Sequence, residues 1–250
     1  MLQPSIYLYA IYFFFLIYLI REKYFHGVVS QSVQMLRQNL ALLGLFVALT
    51  LVLIFLVDSP VANLVKSGRL DWAIPLTGYI TPLGKGDTFV YSFPITVFVA
   101  AMLLKHKFFQ HIFATAAAAA FVAGVLVQIP KVVLSRARPL TGDSPFAFFN
   151  WDILFARKTF LESDYLSMAS GDVITATALC VPLVYYLKSS VLRFIFVLLP
   201  LGVAFARVHV NAHWASDVFA GLVIGTFIGL IFCNKNPETA IHGNQEGKTI

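Results

Sequence analysis

The stretch "FFQHIFATAAAAAFVAGVLVQIP", Phe108 to Pro130, contains no Asp, Glu, Lys or Arg. A bilayer core needs about 20 consecutive apolar residues per helix, with a lower limit near 17, and this stretch meets that length. Six more come close to it: Ile6–Ile20, Leu40–Val57, Phe89–Leu104, Asp172–Leu187, Val191–Ala206 and Val218–Cys233. The first is short and rich in aromatics. It reads as a span, a signal anchor or an interfacial helix, and no small-residue cleavage site follows it. Composition agrees with a membrane class, because 59% of the 250 residues are hydrophobic and only 12% are charged. Soluble domains carry about 25% charged residues. The expected fold is an all-α, polytopic membrane helix bundle. Its parts are an N-terminal helix and linker (1–39), a transmembrane domain (40–233) and a polar tail (234–250).

The net charge of +6 does not point to nucleic acid, since the chain has neither a basic run nor a zinc-ligand spacing. In a membrane protein, excess Lys and Arg marks cytoplasmic loops. If seven spans alternate, Arg21, Lys23, Arg37, Lys105, Lys107, Lys188, Arg193 and Lys235 fall on one side. Asp58, Asp71, Asp87, Asp143, Asp152, Glu162 and Asp164 fall mostly on the other. The first side is then cytoplasmic and the tail is inside; dropping the first span moves only the amino terminus. Cys180 and Cys233 lie far apart in apolar stretches and read as small core residues.

Three charged stretches stand at helix ends on the acidic side: "KVVLSRARP" (Lys131–Pro139), "ASGD" (Ala169–Asp172) and "ARVHVNAHWASD" (Ala206–Asp217). Lys131 and Arg138 are seven apart, two turns of a helix and hence one face. His213 and Asp217 are four apart, so the carboxylate can accept from one ring nitrogen, fix the tautomer and leave the other nitrogen to attack. Arg207 adds a fork of donors suited to phosphate oxygens. Ser170 and Gly171 open a helix whose free N–H groups favour an anion. Together they describe a phosphoryl-binding cage facing a nucleophile.

Each piece also has a plain structural reading. Lys131, Arg136 and Arg138 can anchor a helix end among headgroups, Ser170 or Asp172 can be an N-cap, His213 and Asp217 can be a structural pair, and Arg207 can snorkel. His209 reads as a neighbour of the site. The chemical reading gains its weight from the convergence of all three stretches on one face.

Lys131-x6-Arg138-Pro139, Ser170-Gly171 and Arg207-x5-His213-x3-Asp217 resemble the three-part signature of the type 2 phosphatidic acid phosphatase superfamily, from about Asp71 to Cys233. "RARP…SPFAFF" and "HWASDVFAG" look most like bacterial members acting on lipid A, isoprenoid or glycerophospholipid phosphates. The resemblance implies six core transmembrane helices, here with an additional N-terminal one, and a mechanism without metal or other cofactor. It implies that His213 forms a phosphohistidine with Asp217 orienting it. Lys131, Arg138, Arg207, Ser170 and Gly171 would hold the phosphoryl oxygens. Two departures stand out. The family's Pro-Ser-Gly-His is Ala169-Ser170-Gly171-Asp172 here, and its Ser-Arg is Ala206-Arg207.

Asp172 thus stands where the family has a histidine general acid. Three roles are open to it: a protonated acid raised by its surroundings, an ionised base that activates water or an acceptor hydroxyl, or a substitution that abolishes catalysis. The expected function is a lipid phosphate phosphatase or phosphotransferase at the outer face of a bacterial cytoplasmic membrane. Its partners are the bilayer and a phosphorylated lipid of the lipid A or isoprenoid diphosphate type, without nucleic acid. The alternatives are a catalytically impaired relative that binds headgroups or a membrane partner, and a transporter. Charges at helix ends, and the absence of internal repeats, weigh against transport.

Overall fold

A computed structural model of the chain describes residues 6–85, 89–156 and 163–234. Asp87, Glu162 and Lys235, used above for orientation, lie outside the described residues, as does the tail from residue 235 onward. The described residues are all-helical, without strands. In chain order the helices are α1 (Ile6–Arg21), α2 (Val28–Gln38), α3 (Leu40–Leu56), α4 (Asp58–Lys66), α5 (Ile74–Gly84), α6 (Ser92–Leu103), α7 (Lys107–Leu126), α8 (Gln128–Leu134), α9 (Trp151–Ala156), α10 (Gly171–Tyr186), α11 (Ser190–His209) and α12 (Ala215–Asn234).

All seven apolar stretches are helical, but they differ in reach. Lys107–Leu134 (α7 running into α8), Ser190–His209 and Ala215–Cys233 are long and apolar enough to cross a bilayer. The pair α2 and α3, bent by 80°, makes a fourth if counted as one span. Helices α1 and α10 have 16 residues each and α6 has 12; at about 1.5 Å per residue all three fall short of a ~30 Å core. By length and composition the count is three or four, where the sequence suggested seven. Leu42, Leu45, Leu51 and Phe55 on α3 and Val191, Phe194, Ile195 and Leu198 on α11 are exposed. Apolar surface that continuous is unsuited to water and suited to lipid. The chain is a membrane protein.

Helix α10 lies at the centre, packed on α5, α7, α11 and α12, with nearly every side chain from Val173 to Leu183 buried. Small residues let its neighbours approach. The alanine run of α7 is buried on one side of it. On the other, Gly221, Gly225 and Gly229 of α12 face it. A Cβ on Gly225 would lie 2.6 Å from the Ile174 carbonyl oxygen, and one on Gly229 would lie 2.6 Å from Val181 Cβ. Glycines four apart share a helix face and bring backbones together. The N-termini of α10 and α12 therefore meet, with Ser170 N–H donating to the Asp217 carbonyl at 3.1 Å.

The opposite end of the bundle is tied by polar contacts. Tyr24 Oη lies 3.4 Å from His111 Nδ1, the His111 ring stands 5.8 Å from Tyr186, and Tyr186 Oη donates to the Cys233 carbonyl at 3.0 Å. These contacts join the chain after α1 to the start of α7 and the ends of α10 and α12. Cys180 and Cys233 are free, buried thiols.

Candidate active site

Helix α8 stops at Leu134 because Ser135 turns left-handed (φ 37) and Pro139 holds Arg138 in extended backbone (φ −79, ψ 156). Lys131 and Arg138 therefore do not share a helical face, as their spacing suggested; the turn after α8 brings them together. The extended segment is pinned on three sides. Ala137 N–H donates to Ala147 at 2.9 Å, Arg138 N–H donates to Asp164 at 2.8 Å, and Trp214 Nε1 donates to the Ala137 carbonyl at 2.8 Å.

Ser170 is the N-cap residue of α10, yet its side chain caps nothing. Its hydroxyl is buried and has no hydrogen-bond partner among the described residues. A buried hydroxyl left unpaired at a helix N-terminus runs against the usual capping role. Lys131 Nζ reaches the same terminus, lying 3.1 Å from where a Cβ of Gly171 would stand. Any side chain at position 171 would crowd it. Backbone N–H groups in the first turn add their partial positive charge there.

The third stretch is shaped by the end of α11. Asn211 turns left-handed (φ 55), its N–H donates to Val208 at 2.9 Å, and Ala212 N–H donates to Arg207 at 3.1 Å. This Schellman arrangement closes the helix. His213 N–H also donates to the Arg207 carbonyl, at 3.2 Å, so the backbone sets the histidine beside the arginine six residues earlier. His209 bonds elsewhere, with Nδ1 3.2 Å from Thr77 Oγ1 and Nε2 2.9 Å from the Leu70 carbonyl. It ties α11 to α5 and to the chain just before it.

These elements bring the expected residues into one electrostatic neighbourhood. Lys131 interacts with Arg138, Asp172, Asp217 and Arg207, and Arg138 with the same acids, with Arg207 and with Asp164. Nε of Arg138 and of Arg207 are buried and, like the Ser170 hydroxyl, have no partner among the described residues. Asp172 forms an ion pair with Arg207. Its Cβ lies 3.3 Å from where a Cβ of Gly84 would stand, so α5 backs it.

The histidine is held differently from what its spacing suggested. His213 Nδ1 lies 2.8 Å from the Ser167 carbonyl and 3.8 Å from Asp217 Oδ2, the latter beyond hydrogen-bond length. A carbonyl only accepts, so Nδ1 carries the proton and Nε2 keeps its lone pair. Burial lowers the His213 pKa below its ordinary value, reinforced by Arg138 and Lys131 and opposed by Asp217. The imidazole is therefore neutral near pH 7.

Asp217 is fully buried and saturated. It accepts from Arg136 Nη1 (2.6 Å), Ser167 Oγ (2.5 Å) and Trp214 N–H (3.0 Å). Arg136 is itself fully buried, not among headgroups. It also donates to Asp58 Oδ2 (2.6 Å), Ser216 Oγ (2.7 Å) and the Pro145 carbonyl (3.0 and 2.8 Å). The rings of Phe148 and Trp214 stand over its guanidinium at 4.8 and 5.4 Å. Sequence reasoning missed Asp58 and Ser167 and gave Arg136 a surface role. Both roles rest on contacts between distant segments, which no sequence pattern marks.

Fold and site together define a helical membrane protein with a cluster of basic side chains and unpartnered donors beside a neutral histidine. The chain belongs to the PAP2 superfamily, whose family model matches residues 111–239 and so takes in all three motifs. Members of that family are generally phosphatases acting on phosphate esters. No curated protein and no solved structure matches the chain. Among the described residues, no three His, Cys, Asp or Glu side chains are grouped as a metal site requires.

Proposed function

We propose that the protein is a lipid phosphate phosphatase or phosphotransferase whose nucleophile is His213. The observation that carries this reading is the set of buried donors without partners, namely Ser170 Oγ, Arg138 Nε and Arg207 Nε. They stand with Lys131 at the α10 N-terminus, and a phosphoryl group supplies the acceptors they need. The Nε2 lone pair of His213 forms a bond to phosphorus as the bond to the leaving oxygen breaks, and that oxygen departs with the electron pair. A water or an acceptor hydroxyl then attacks the phosphohistidine, gives up its proton and restores the neutral imidazole.

The ion pair with Arg207 favours the ionised role for Asp172. It serves as the base that takes the proton in the second step, and the first step proceeds with little acid help. Such a site suits good leaving groups, which supports a diphosphate or anomeric phosphate lipid of the isoprenoid or lipid A type. The basic connections at the far end support placing the cage at the outer face of a bacterial cytoplasmic membrane.

The test is phosphate release and lipid-to-lipid phosphotransfer by the purified chain in micelles. The panel holds a phosphatidic acid, phosphatidylglycerophosphate, undecaprenyl diphosphate and lipid A. We expect turnover, fastest with a diphosphate or anomeric phosphate and lost in His213→Ala. The same ion pair supports a second reading, in which Asp172 blocks Arg207 and the chain only binds headgroups. A silent parent chain with turnover appearing in Asp172→His would decide for it.

A further inference from the structure

We infer that Ser167, Arg136 and Asp58 are positioning residues for His213, acting through a buried relay that runs the width of the site. The inference rests on the reading of His213 as the attacking group. Its first link is the Ser167 carbonyl, which accepts a hydrogen bond from His213 Nδ1–H at 2.8 Å and so fixes which nitrogen is free. The second is the Ser167 hydroxyl, which donates to Asp217 Oδ2 at 2.5 Å. One residue thus touches both the histidine, through its backbone, and the carboxylate, through its side chain. Asp217 does not hold the ring directly; it holds the residue that does.

The remaining links anchor Asp217. Its Oδ1 accepts from Arg136 Nη1, and Arg136 Nη2 donates to Asp58 Oδ2, both at 2.6 Å. All three side chains are fully inaccessible to solvent. Asp58 also accepts from Ser216 N–H at 2.9 Å and Ser216 Oγ at 2.6 Å, so the start of α4 is locked to the first turn of α12. A guanidinium fork is the one side chain that can face two carboxylates and a carbonyl at once in fixed geometry. Neither Arg136 nor Asp58 offers a free polar atom to the cage, because every donor and acceptor they carry is used within the cluster. What they fix is therefore orientation. A buried, fully paired network of this kind is rigid, and a nucleophile displaced by about 1 Å can lose roughly 100-fold in rate.

Two probes separate positioning from general structure. Inorganic phosphate reads the cage alone. Orthovanadate reads the cage and His213 together, because its five-coordinate form bonds to the attacking nitrogen and resembles the transition state. Both are titrated calorimetrically into the purified full chain, into Ser167→Ala and into Arg136→Lys, with thermal unfolding as the check on folding. Ser167→Ala removes only the hydroxyl and keeps the carbonyl. We expect it to bind phosphate within about twofold of the parent but vanadate about 10- to 100-fold more weakly, with Arg136→Lys at least as affected.

Unchanged vanadate affinity in Ser167→Ala would overturn the inference. So would an equal weakening of both probes, which is what a merely structural residue would give. A parent chain that binds both probes but releases no phosphate from any lipid would defeat the proposed turnover and leave the relay standing on the vanadate difference. If Arg136→Lys does not fold, Ser167→Ala decides alone.

Discussion

Asp172 and Arg207 form an ion pair, and under the proposed function the carboxylate competes with the phosphoryl group for the same guanidinium. Removing its charge without its shape should therefore tighten binding of inorganic phosphate. For Asp172→Asn we expect roughly a tenfold gain, equivalent to ~1.4 kcal/mol, by calorimetry. Weaker binding would mean that Asp172 organises the cage instead of contesting it. The second residue-scale consequence concerns acid. In the proposed mechanism His213 attacks only when neutral, and burial with Arg138 and Lys131 holds its pKa below the ordinary value near 6.5, against the opposing pull of Asp217. A lowered pKa keeps the neutral form populated further into acid. The acid limb of kcat/KM in the free enzyme should lie below pH ~6.5, and a limb clearly above that value would contradict this account of the site.

At the scale of elements, the site depends on how closely α12 approaches α10. Gly225 has no room for a side chain, since a Cβ there would meet the Ile174 carbonyl oxygen at 2.6 Å and Thr177 Cβ at 2.7 Å. Both are parts of a buried helix that cannot step aside. Gly225→Val should destabilise the bundle by about 1–3 kcal/mol through overpacking. Because the same approach sets Asp217 beside Ser170, it should also weaken phosphate binding. Gly44 is the control, with nothing within 4 Å of its Cβ position; Gly44→Ala should leave thermal unfolding in micelles unchanged or slightly raised. Equal behaviour of the two variants would remove the glycine face from the account of the site.

Over the whole molecule, the bundle separates two ends of different chemistry. One carries the cage, with exposed Trp151 donating to the Val132 carbonyl next to Lys131. The other carries the links after α1, before α7 and before α11, with Arg21, Lys23, Lys105, Lys107 and Lys188. If the cage faces outward, a membrane-impermeant maleimide should label Asp143→Cys in intact bacterial cells and Lys188→Cys only after permeabilisation. The native thiols are buried and should stay silent. The reverse pattern would place the cage in the cytoplasm and remove periplasmic lipids from the substrate list.

Membrane class and helical fold were legible from the chain alone, because burial in lipid forces long apolar runs, and so were most of the polar residues that the structure gathers at the α10 N-terminus. Lys131, Arg138, Ser170, Gly171, Arg207 and His213 announced themselves by charge or position at the ends of those runs. The sequence could not show what depends on contacts between distant segments. Arg138 meets Lys131 by a left-handed turn at Ser135, not by helical periodicity. Gly221, Gly225 and Gly229 acquire meaning only against α10. The partner of the histidine proton is a backbone carbonyl, which every residue possesses and no pattern marks. Asp58 joins Asp217 through Arg136 across most of the chain, and only the packed bundle brings two carboxylates to one guanidinium.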